Sequence, residues 1–462
     1  METTNTSENK SLLSQLSEST ATKLLLIGLL TLILLIPSSW IQSLISERES
    51  RNDEAIQEIA QKWSGNQSIE GPVMQLPIKT FAKVTDALGK VSYRESESTI
   101  YLLPENLTIK ADANPEILHR GIFDAVVYNS KINLTGNFSN LELRKSGINP
   151  ENVIWDRVKI ITGISDLKGL KNTPRIKLSD SIHSAEPDFS TENVFKNNLA
   201  VLVNLAKTKT SAFSFSYDLD LRGSGELSFL HVAKNTSVNV TGKWGNPSFI
   251  GNFLPDDRKI NKNNFTSEWK MSNFNRPFPQ QWQGSHQAME VENRDKASFG
   301  VKFLLPVDQY QKTMRSAKYS ILVIILSFVS LFFIELLKKT RINLLQYVLI
   351  GAAMIIYYAL LLSFSEQVGF DFAYLIASLA TITLISIFIG AFLRSSKPAL
   401  AFSLILGIFY SFIYIIIQLQ DLALLFGSIG LFITIACLMY FSVKINWSKP
   451  SPLLPSPLAG NP

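Results

Sequence analysis

Histidine and cysteine are the residue types in this chain best suited to bind a metal ion, and they are few. The histidines are His119, His183, His231 and His286, and the single cysteine is Cys437. A zinc site usually takes three or four ligands at characteristic short spacings, and these residues are scattered along the chain. The pattern therefore predicts no metal site and no internal disulfide. His231 lies beside a predicted strand end, and we interpret it as a hydrogen-bonded sheet histidine.

Motifs for nucleophilic or nucleotide chemistry are missing from the sequence as well. It contains no Gly-x-Ser-x-Gly elbow and no Gly-x-x-x-x-Gly-Lys phosphate loop. Gly223-Ser224-Gly225 is a fragment of a dinucleotide fingerprint, which we interpret as a turn between two strands. Asp188 and Glu192 are a candidate carboxylate pair, but no third group orients them, and Asp256-Asp257-Arg258 is interpreted as a solvated loop. We therefore predict no catalytic, cofactor-binding or metal-binding residue, and no enzyme activity.

Six apolar runs supply the elements around which the chain is organised. Each has the length of about 20 residues that an α-helix needs to cross a hydrocarbon core of about 30 Å. The runs cover residues 24–45, 319–337, 345–363, 372–393, 399–417 and 422–442. Backbone groups in lipid must be satisfied within the segment, which only helices of this kind achieve. We predict an α-helical membrane protein with six transmembrane helices and a large β-rich extracytoplasmic domain between helices 1 and 2.

The distribution of Lys and Arg between short loops predicts the orientation of the spans. Alternate loops carry the basic residues, which are Lys338, Lys339, Arg341, Arg394, Lys397, Lys444 and Lys449. The intervening loops, 365–371 and 418–421, carry acidic residues and no Lys or Arg. Both termini are therefore predicted to be cytoplasmic. The predicted divisions are a tail at 1–22, a first helix at 23–46, an extracytoplasmic domain at 47–315, a five-helix bundle at 316–443 and a tail at 444–462.

The first run could be either a cleaved signal peptide or a permanent anchor. A signal peptide needs small residues at its cleavage site, and Pro37, Trp40 and Ile41 surround the candidates Ser38 and Ser39. We therefore favour an uncleaved anchor.

Charged and hydroxyl side chains in the spans bear on transport. Glu335 and Glu366 fall at span ends, whereas ion-coupled transporters usually bury an ionisable residue near mid-membrane. Five further side chains are polar enough to link helices by hydrogen bonds, and we favour that role over a substrate path. These are Tyr357, Tyr358, Thr381, Thr383 and Ser386. Charge-coupled transport is not predicted, and passage of a lipid stays open.

From Gly71 to Pro306 the apolar period changes to two, which is typical of strands. Phe213–Leu221, Leu227–Phe229 and Val238–Trp244 alternate in this way, and we predict that they form a three-stranded antiparallel meander. Residues 73–84 and 91–103 resemble a hairpin joined through 86–90. The whole is expected to be sandwich-like or an extended curved sheet.

Two shorter segments leave alternatives open. Glu47–Trp63 is predicted to continue the first helix up to a stop at Gly65, because its apolar residues recur at helical spacing. It is interpreted as a stalk docked on its own domain, with a partner-binding helix as the alternative. A helix is predicted around Thr191–Leu205, although its end at 199–205 fits a strand equally well.

The net charge of +6 and the pI near 9.1 raise the possibility of nucleic acid as a partner. Binding along a phosphate backbone needs clustered Lys and Arg, and such clusters are missing from the sequence. We therefore exclude nucleic acid. The lipid bilayer is the one partner that the spans require, and the oligomeric state is not predicted.

Several stretches resemble the CreD family of bacterial inner-membrane proteins, also called cell-envelope-integrity proteins. They are Gly71–Pro77, Tyr101–Glu105, Trp244–Pro255, Pro306–Gln311, Arg315–Tyr319, Gln346–Tyr347 and Ser363–Phe370. The resemblance implies an inner membrane, a periplasmic location for residues 47–315 and a role in envelope integrity. It also implies expression under a two-component system and effects on tolerance to envelope stress. The family supplies no established catalytic residues.

Three hypotheses about function follow. The first is a non-enzymatic envelope protein whose periplasmic β domain binds a lipid, glycan or protein. The alternative is transport or handling of a lipid or amphiphile, and an enzyme acting on envelope polymers is the weakest.

The family motifs also admit a physical interpretation. Gln309 and Arg315 are expected to cap or tether a helix. Trp244–Pro255 is either an aromatic ledge near the membrane or a packed turn beneath the sheet. Glu366 is expected in a short loop facing the periplasmic domain.

Overall fold

The computed structural model describes residues 20–85, 91–142, 148–190, 194–305, 309–338, 340, 342–419 and 422–443. The chain divides into two compact units. A helical unit comprises Met1–Ser50 and Asp308–Pro462, and a β domain comprises Arg51–Val307. The tails predicted at 1–22 and 444–462 lie outside the described residues, apart from residues 20–22, which begin the first helix.

The helices confirm that the chain is a membrane protein by length and composition. They are α1 Thr20–Trp63, α2 Val291–Lys296, α3 Gln309–Lys318, α4 Ser320–Lys338, α5 Leu344–Val368, α6 Phe370–Leu393, α7 Ser396–Gln418 and α8 Ala423–Val443. Four of them, α1, α5, α6 and α7, are long and apolar enough to cross a membrane. The pair α3 and α4, bent by 41°, makes a fifth if it is one span. In α8 the apolar part, Leu425–Cys437, is shorter, so the predicted count of six stays a prediction.

Large side chains fill the core of the helical unit. Phe328 and Tyr347 are fully buried with ring centroids 5.5 Å apart, and Phe402 is buried in the same cluster. The loop predicted at residues 365–371 is wrong, because α5 and α6 are separated by Gly369 alone. Gly369 has φ +78°, a left-handed value that glycine adopts readily, so one residue is enough to reverse the chain.

The β domain consists of two sheets of short and long strands. The strands are β1 Gln67–Thr85, β2 Val91–Leu102, β3 Asn106–Arg120, β4 Phe123–Phe138, β5 Val158–Ile164, β6 Arg175–Leu178, β7 Ser181–Ser184, β8 Glu186–Asp188, β9 Asn198–Val203, β10 Phe213–Ser224, β11 Glu226–Leu230, β12 Asn235–Gly242, β13 Pro247–Gly251, β14 Asp257–Ile260, β15 Phe265–Ser272, β16 Gln281–Gln283 and β17 Ser298–Phe303. Sheet A has the order β13-β17-β11-β1-β5-β9-β8, with β2 on β1 and β16 on β2. Sheet B has the order β14-β15-β12-β3-β4-β10-β6-β7.

The two sheets share one apolar core, so the sandwich-like prediction describes the domain well. Phe303 of sheet A packs at 5.2 Å from Tyr128 of sheet B, measured between ring centroids. The hydroxyls of Thr162 in sheet A and Tyr217 in sheet B are 2.9 Å apart. Strict alternation therefore places one face of sheet B in this core and leaves the other face outside it.

The predicted meander is wrong in its pairing, although each of its strands exists. β10 and β12 belong to sheet B, whereas β11 pairs with β1 and β17 in sheet A. Gly225, with φ +67°, joins β10 to β11 where the chain passes between the sheets. Alternation defines which face of a strand is buried but not its neighbours, because pairing is decided by distant segments.

The remaining local predictions concern one hairpin and two helical segments. The β1–β2 hairpin is confirmed, with Met74 paired to Leu102 and Thr85 to Val91, and its turn at 86–90 lies outside the described residues. The helix predicted around Thr191–Leu205 is wrong in its described part, because residues 194–197 are not helical and residues 198–203 form strand β9. The strand alternative for 199–205 is therefore the correct one, and 191–193 lie outside the described residues. The helical prediction for 47–63 is confirmed.

The end of α1 is docked on the β domain, as the stalk interpretation expects. Arg120 of β3 donates a hydrogen bond to Glu58, and the Arg222 guanidinium lies 5.3 Å from the ring of Trp63. The hydrogen bonds that Arg120 and Lys62 donate to the Glu58 carboxylate lower its pKa to about 2.

Candidate functional site

The exposed face of sheet B is unusually rich in short polar side chains. We call the part formed by β12, β3, β4 and β10 the polar face. Asn or Asp stands on this face in each of the four strands. Both residue types are depleted in strands, since their side chains favour turns and pack poorly on a pleated surface. Their repeated use here needs a reason other than strand formation.

Side chains on the polar face line up in rows across the strands, because the strand register places like residues opposite one another. The first row is an amide ladder of Asn235, Asn106 and Asn137. Asn235 Nδ2 donates to Asn106 Oδ1 at 3.0 Å, and Asn106 Nδ2 donates to Asn137 Oδ1 at 3.0 Å. The next row consists of hydroxyls, from Ser237, Thr108, Thr135 and Ser216.

Charged residues enter in the third and fourth rows. The third row is Asn239, Lys110, Asn133 and Asp218, and the fourth is Thr241, Asp112, Lys131 and Asp220. Asn133 Nδ2 donates to Asp218 Oδ1 at 2.7 Å, and Thr241 Oγ1 donates to Asp112 Oδ1 at 3.1 Å. These bonds connect neighbouring strands and leave further donors and acceptors of each group facing outward.

These two charged rows line a depression of about 550 Å³. Asn172, from the loop between β5 and β6, completes one side of it. The loop is held there because Lys171 N donates to the carbonyl of Asp220 at 3.0 Å. The volume falls in the range of ligand sites, about 300–1,000 Å³. Its lining offers amides, hydroxyls, amines and carboxylates for hydrogen bonding.

A second depression, of about 740 Å³, lies elsewhere on the β domain. Its lining includes Asn140, Trp155, Lys209 and Thr210. Thr210 Oγ1 donates to Asn140 Oδ1 at 2.7 Å, and Lys209 has φ +46°. A left-handed lysine is uncommon and worth noting near a cleft. This cleft is the alternative location for a ligand site on the β domain.

The three histidines whose side chains the structure describes, His119, His183 and His231, lie on separate segments of the chain. His231 is fully buried: its Nε2 donates to the Ser272 carbonyl at 2.8 Å, and its Nδ1 lies 2.9 Å from Thr236 Oγ1. The prediction of a hydrogen-bonded sheet histidine is confirmed. Burial lowers the pKa of His231 to about 4, against the pull of the Ser272 carbonyl. Within the described residues no cluster of His, Cys, Asp and Glu is arranged to hold a metal ion.

His119 and His183 lie on different strands of sheet B. His119 and Asp124 pair across the β3–β4 end, with Nδ1 and Oδ1 2.6 Å apart. His183 lies on β7, and the side chain of His286 lies outside the described residues.

The acidic candidates are engaged in local structure. Asp188 Oδ2 accepts from Lys159 Nζ at 3.1 Å, whereas Glu192 lies outside the described residues. Asp256 Oδ2 accepts from the backbone N–H of Lys270 at 2.7 Å. The residues after it form strand β14, whose side chains are exposed. The prediction that this segment is a loop is therefore wrong, and the prediction that it faces solvent is confirmed.

The Trp244–Pro255 block packs Trp244 and Phe249 against the domain, but residues 247–251 form the edge strand β13 of sheet A rather than the predicted turn. Trp244 Nε1 donates to the Leu304 carbonyl at 3.1 Å. Phe249 stands edge-on to Trp269 with centroids 5.8 Å apart. Both Trp244 and Phe249 pack against the buried core, which leaves no exposed aromatic ledge formed by them.

Two carboxylates in the helical unit are paired with cations of α1. Glu335 is buried; it binds Lys23 Nζ through Oε1 and accepts from the Tyr347 hydroxyl at 3.2 Å. Glu366 Oε2 lies 4.0 Å from Arg48 Nη1, and its Oε1 accepts from the Tyr310 hydroxyl at 3.2 Å. The two arrangements anchor α1 near each end of its apolar stretch.

Sequence reasoning did not find these pairs, because Lys23 and Glu335 are 312 residues apart. Arg315 has the expected tethering role, donating from Nη2 to the Ile416 carbonyl at 3.3 Å. Gln309 is the first residue of α3, and its carbonyl accepts from the Thr313 hydroxyl at 2.7 Å.

The hydroxyl residues of the spans are mixed in their placement. Tyr357, Tyr358 and Thr381 are buried, whereas Thr383 is exposed. One hydrogen bond between α6 and α7 comes from Tyr374, whose hydroxyl donates to the Tyr410 carbonyl at 2.7 Å. Neither of these tyrosines stood out in the sequence.

Comparison with known proteins agrees with the motif resemblance. A family model described as "Inner membrane protein CreD" matches residues 19–448. The Inner membrane protein CreD of Escherichia coli (strain K12) is 29% identical over 418 residues, which cover 90% of this chain and 91% of that protein.

Proposed function

The chain belongs to the CreD family of inner membrane proteins, and on that premise we propose that it supports cell-envelope integrity without catalysing a reaction. In this proposal the β domain is periplasmic and binds an envelope component on the polar face. The single observation that carries it is the in-register array of Asn, Asp, Ser, Thr and Lys around the 550 Å³ depression. Exposed polar groups arranged without a strand-forming reason favour recognition of a ligand.

The proposed topology places six spans in the membrane and both termini in the cytoplasm. It is supported by the alternation of basic and acidic loops along the sequence. Cysteine labelling tests it in a Cys437→Ser background. A membrane-impermeant maleimide is expected to label Asn239→Cys once the outer membrane is opened, and Lys397→Cys only after the inner membrane is broken. The reverse order of labelling would contradict the orientation.

Site-specific photo-crosslinking in living cells tests the binding proposal. A photoreactive phenylalanine derivative replaces Asn239 on the polar face, Leu202 on the exposed side of β9 in sheet A, or Lys209 in the 740 Å³ cleft. Leu202 is a matched control because it is 62% exposed on a strand of the same domain. We expect a discrete adduct from position 239 and none from 202.

Other labelling results would contradict the proposed location of the site, its specificity or the class of its ligand. An adduct from position 209 alone moves the site to the cleft, and equal labelling at 202 and 239 removes the case for a specific face. An adduct of a lipid at 239 favours the alternative role in lipid or amphiphile handling.

A further inference from the structure

The polar face carries residues that its secondary structure does not favour. Thr, Val, Ile and aromatic residues suit strands, whereas Asn and Asp are depleted there. Asn106, Asn133, Asn137, Asn235 and Asn239 nevertheless occupy outward positions in adjoining strands. A face that only needed contact with water would be served by better strand formers. Local preferences are broken in this way mostly where function requires it.

The hydrogen-bonding capacity of the face is larger than its internal bonds use. Each amide has two donor hydrogens and a carbonyl oxygen with two lone pairs. Asn133 is bonded to Asp218 at 2.7 Å, which takes one of its donors. Within each row the side chains repeat at the strand spacing of about 4.8 Å, so hydrogen-bonding groups extend across four adjoining strands.

The charge of the depression is close to balanced. Lys110 and Lys131 face Asp112, Asp218 and Asp220 across the third and fourth rows. A phosphate or other polyanion would meet three carboxylates, and a polycation would meet two amines. The rows contain no large apolar side chain, and Ile132 and Leu219 of the lining are buried, so an acyl chain would cover little apolar side-chain surface there.

We infer that the ligand of the polar face is a neutral glycan chain, whose hydroxyl and amide groups hydrogen-bond to the rows while its sugar units lie across the depression. The inference rests on the proposed function, since it names the class of ligand for the same face. Asn239 and Asn133 are the residues assigned to ligand contact, because they lie in the third row with the depression around them.

The test is a binding titration with full-length protein in a detergent that has no sugar headgroup. The probes are tetrasaccharides of β-1,4-linked N-acetylglucosamine, β-1,4-linked glucose and α-1,4-linked glucose. The variants are Asn239→Thr alone, Asn133→Thr with Asn239→Thr, and the control Leu202→Thr on sheet A. We expect at least one tetrasaccharide to bind, and the double variant to bind it at least tenfold more weakly. The control should bind as the unmodified protein does.

The thermal stability of the same variants separates a binding role from a structural one. Thr is the better strand former, so the midpoint of unfolding should stay unchanged or rise in both Asn→Thr variants. A fall in the midpoint would show that the amides hold the sheet together, and it would overturn the inference. Unaltered affinity in the double variant, or no binding of any of the three probes, would overturn it as well.

The crosslinking experiment distinguishes the two levels of the proposal. A protein or lipid adduct at position 239 would leave the binding function standing and remove the glycan. Absence of any adduct at positions 239 and 209, together with no binding of any of the three probes by the unmodified protein, would remove both.

Discussion

Protonation of His231 gives the β domain a pH dependence whose size can be worked out. The folded pKa is about 4 and the ordinary value is 6.5, because burial of the imidazole disfavours its charged form and outweighs the hydrogen bond to the Ser272 carbonyl, which favours it. As the pH falls, the unfolded chain therefore takes up a proton before the folded one. The contribution of His231 to the free energy of unfolding is therefore fully present above pH 6.5 and is lost as the pH falls toward 4.

The magnitude follows from the difference between the two values. Each pH unit of difference corresponds to about 1.4 kcal/mol, so this one histidine removes about 3 kcal/mol between pH 6.5 and pH 4. Below pH 4 both states are protonated and the contribution levels off. Carboxylates also titrate in this range, so the contribution has to be isolated by comparing variants.

The assay is urea unfolding of the full-length protein in detergent, followed by pulse proteolysis of the β domain at several pH values. His231→Gln removes the titration, and it should lose about 1–3 kcal/mol at pH 7.5 through poorer hydrogen bonding. Its deficit relative to the unmodified protein should shrink as the pH falls to 4. His183→Gln, on strand β7, should keep the unmodified slope. A deficit in His231→Gln that stays constant with pH would refute the reasoning.

Three further substitutions test the packing. Gly300→Ala should lower the unfolding free energy of the β domain by about 1–3 kcal/mol, because the added Cβ would stand 2.3 Å from the Leu227 carbonyl oxygen. The control is Gly65→Ala, where an added Cβ would have no atom within 4 Å. Its unfolding free energy, measured by the same urea assay, should stay within about 0.5 kcal/mol of the unmodified value. Glu335→Gln should lower the melting temperature in detergent, because it leaves the partly buried Lys23 ammonium without its carboxylate; combining it with Lys23→Met should restore part of the loss, and no recovery would contradict the pairing. Gln67→Leu should lower the unfolding free energy of the β domain by at least about 2 kcal/mol, because the buried Gln67 amide hydrogen-bonds to the segments around residues 64, 166 and 222. A smaller decrease in urea unfolding would show that the groups left behind find other partners.

Local patterns in the sequence carried a large part of the fold. The apolar runs predicted helices because length and hydrophobicity act within one segment. The alternation in Phe213–Leu221 predicted a strand with one buried face, and β10 confirms it. The β1–β2 hairpin was also predictable, because its strands are close together along the chain.

Pairing between distant segments was beyond the reach of these patterns. Leu227 lies opposite Gln67 in parallel register, a contact that nothing near either residue announces. The predicted meander failed for that reason. Lys23 and Glu335 are separated by most of the chain, and each alone reads as an ordinary charge at a span end.

The candidate site shows the same division. Alternation alone places Asn106, Lys110 and Asp112 on one face of β3, so their exposure could be read from the sequence. Their neighbours in the rows could not be read, because the parallel pairing of β12 with β3 brings Asn239 beside Lys110 from more than a hundred residues away.

The sequence by itself determined the membrane class, the strand faces and the family, since these depend on residue type and short-range order. Only the tertiary structure decided which exposed side chains stand together, because that depends on sheet order and register. Burial of the alternate residues, such as Ile109 and Leu134, stabilises one register over its neighbours. The polar face is therefore a consequence of how the core on the other side of the same strands packs.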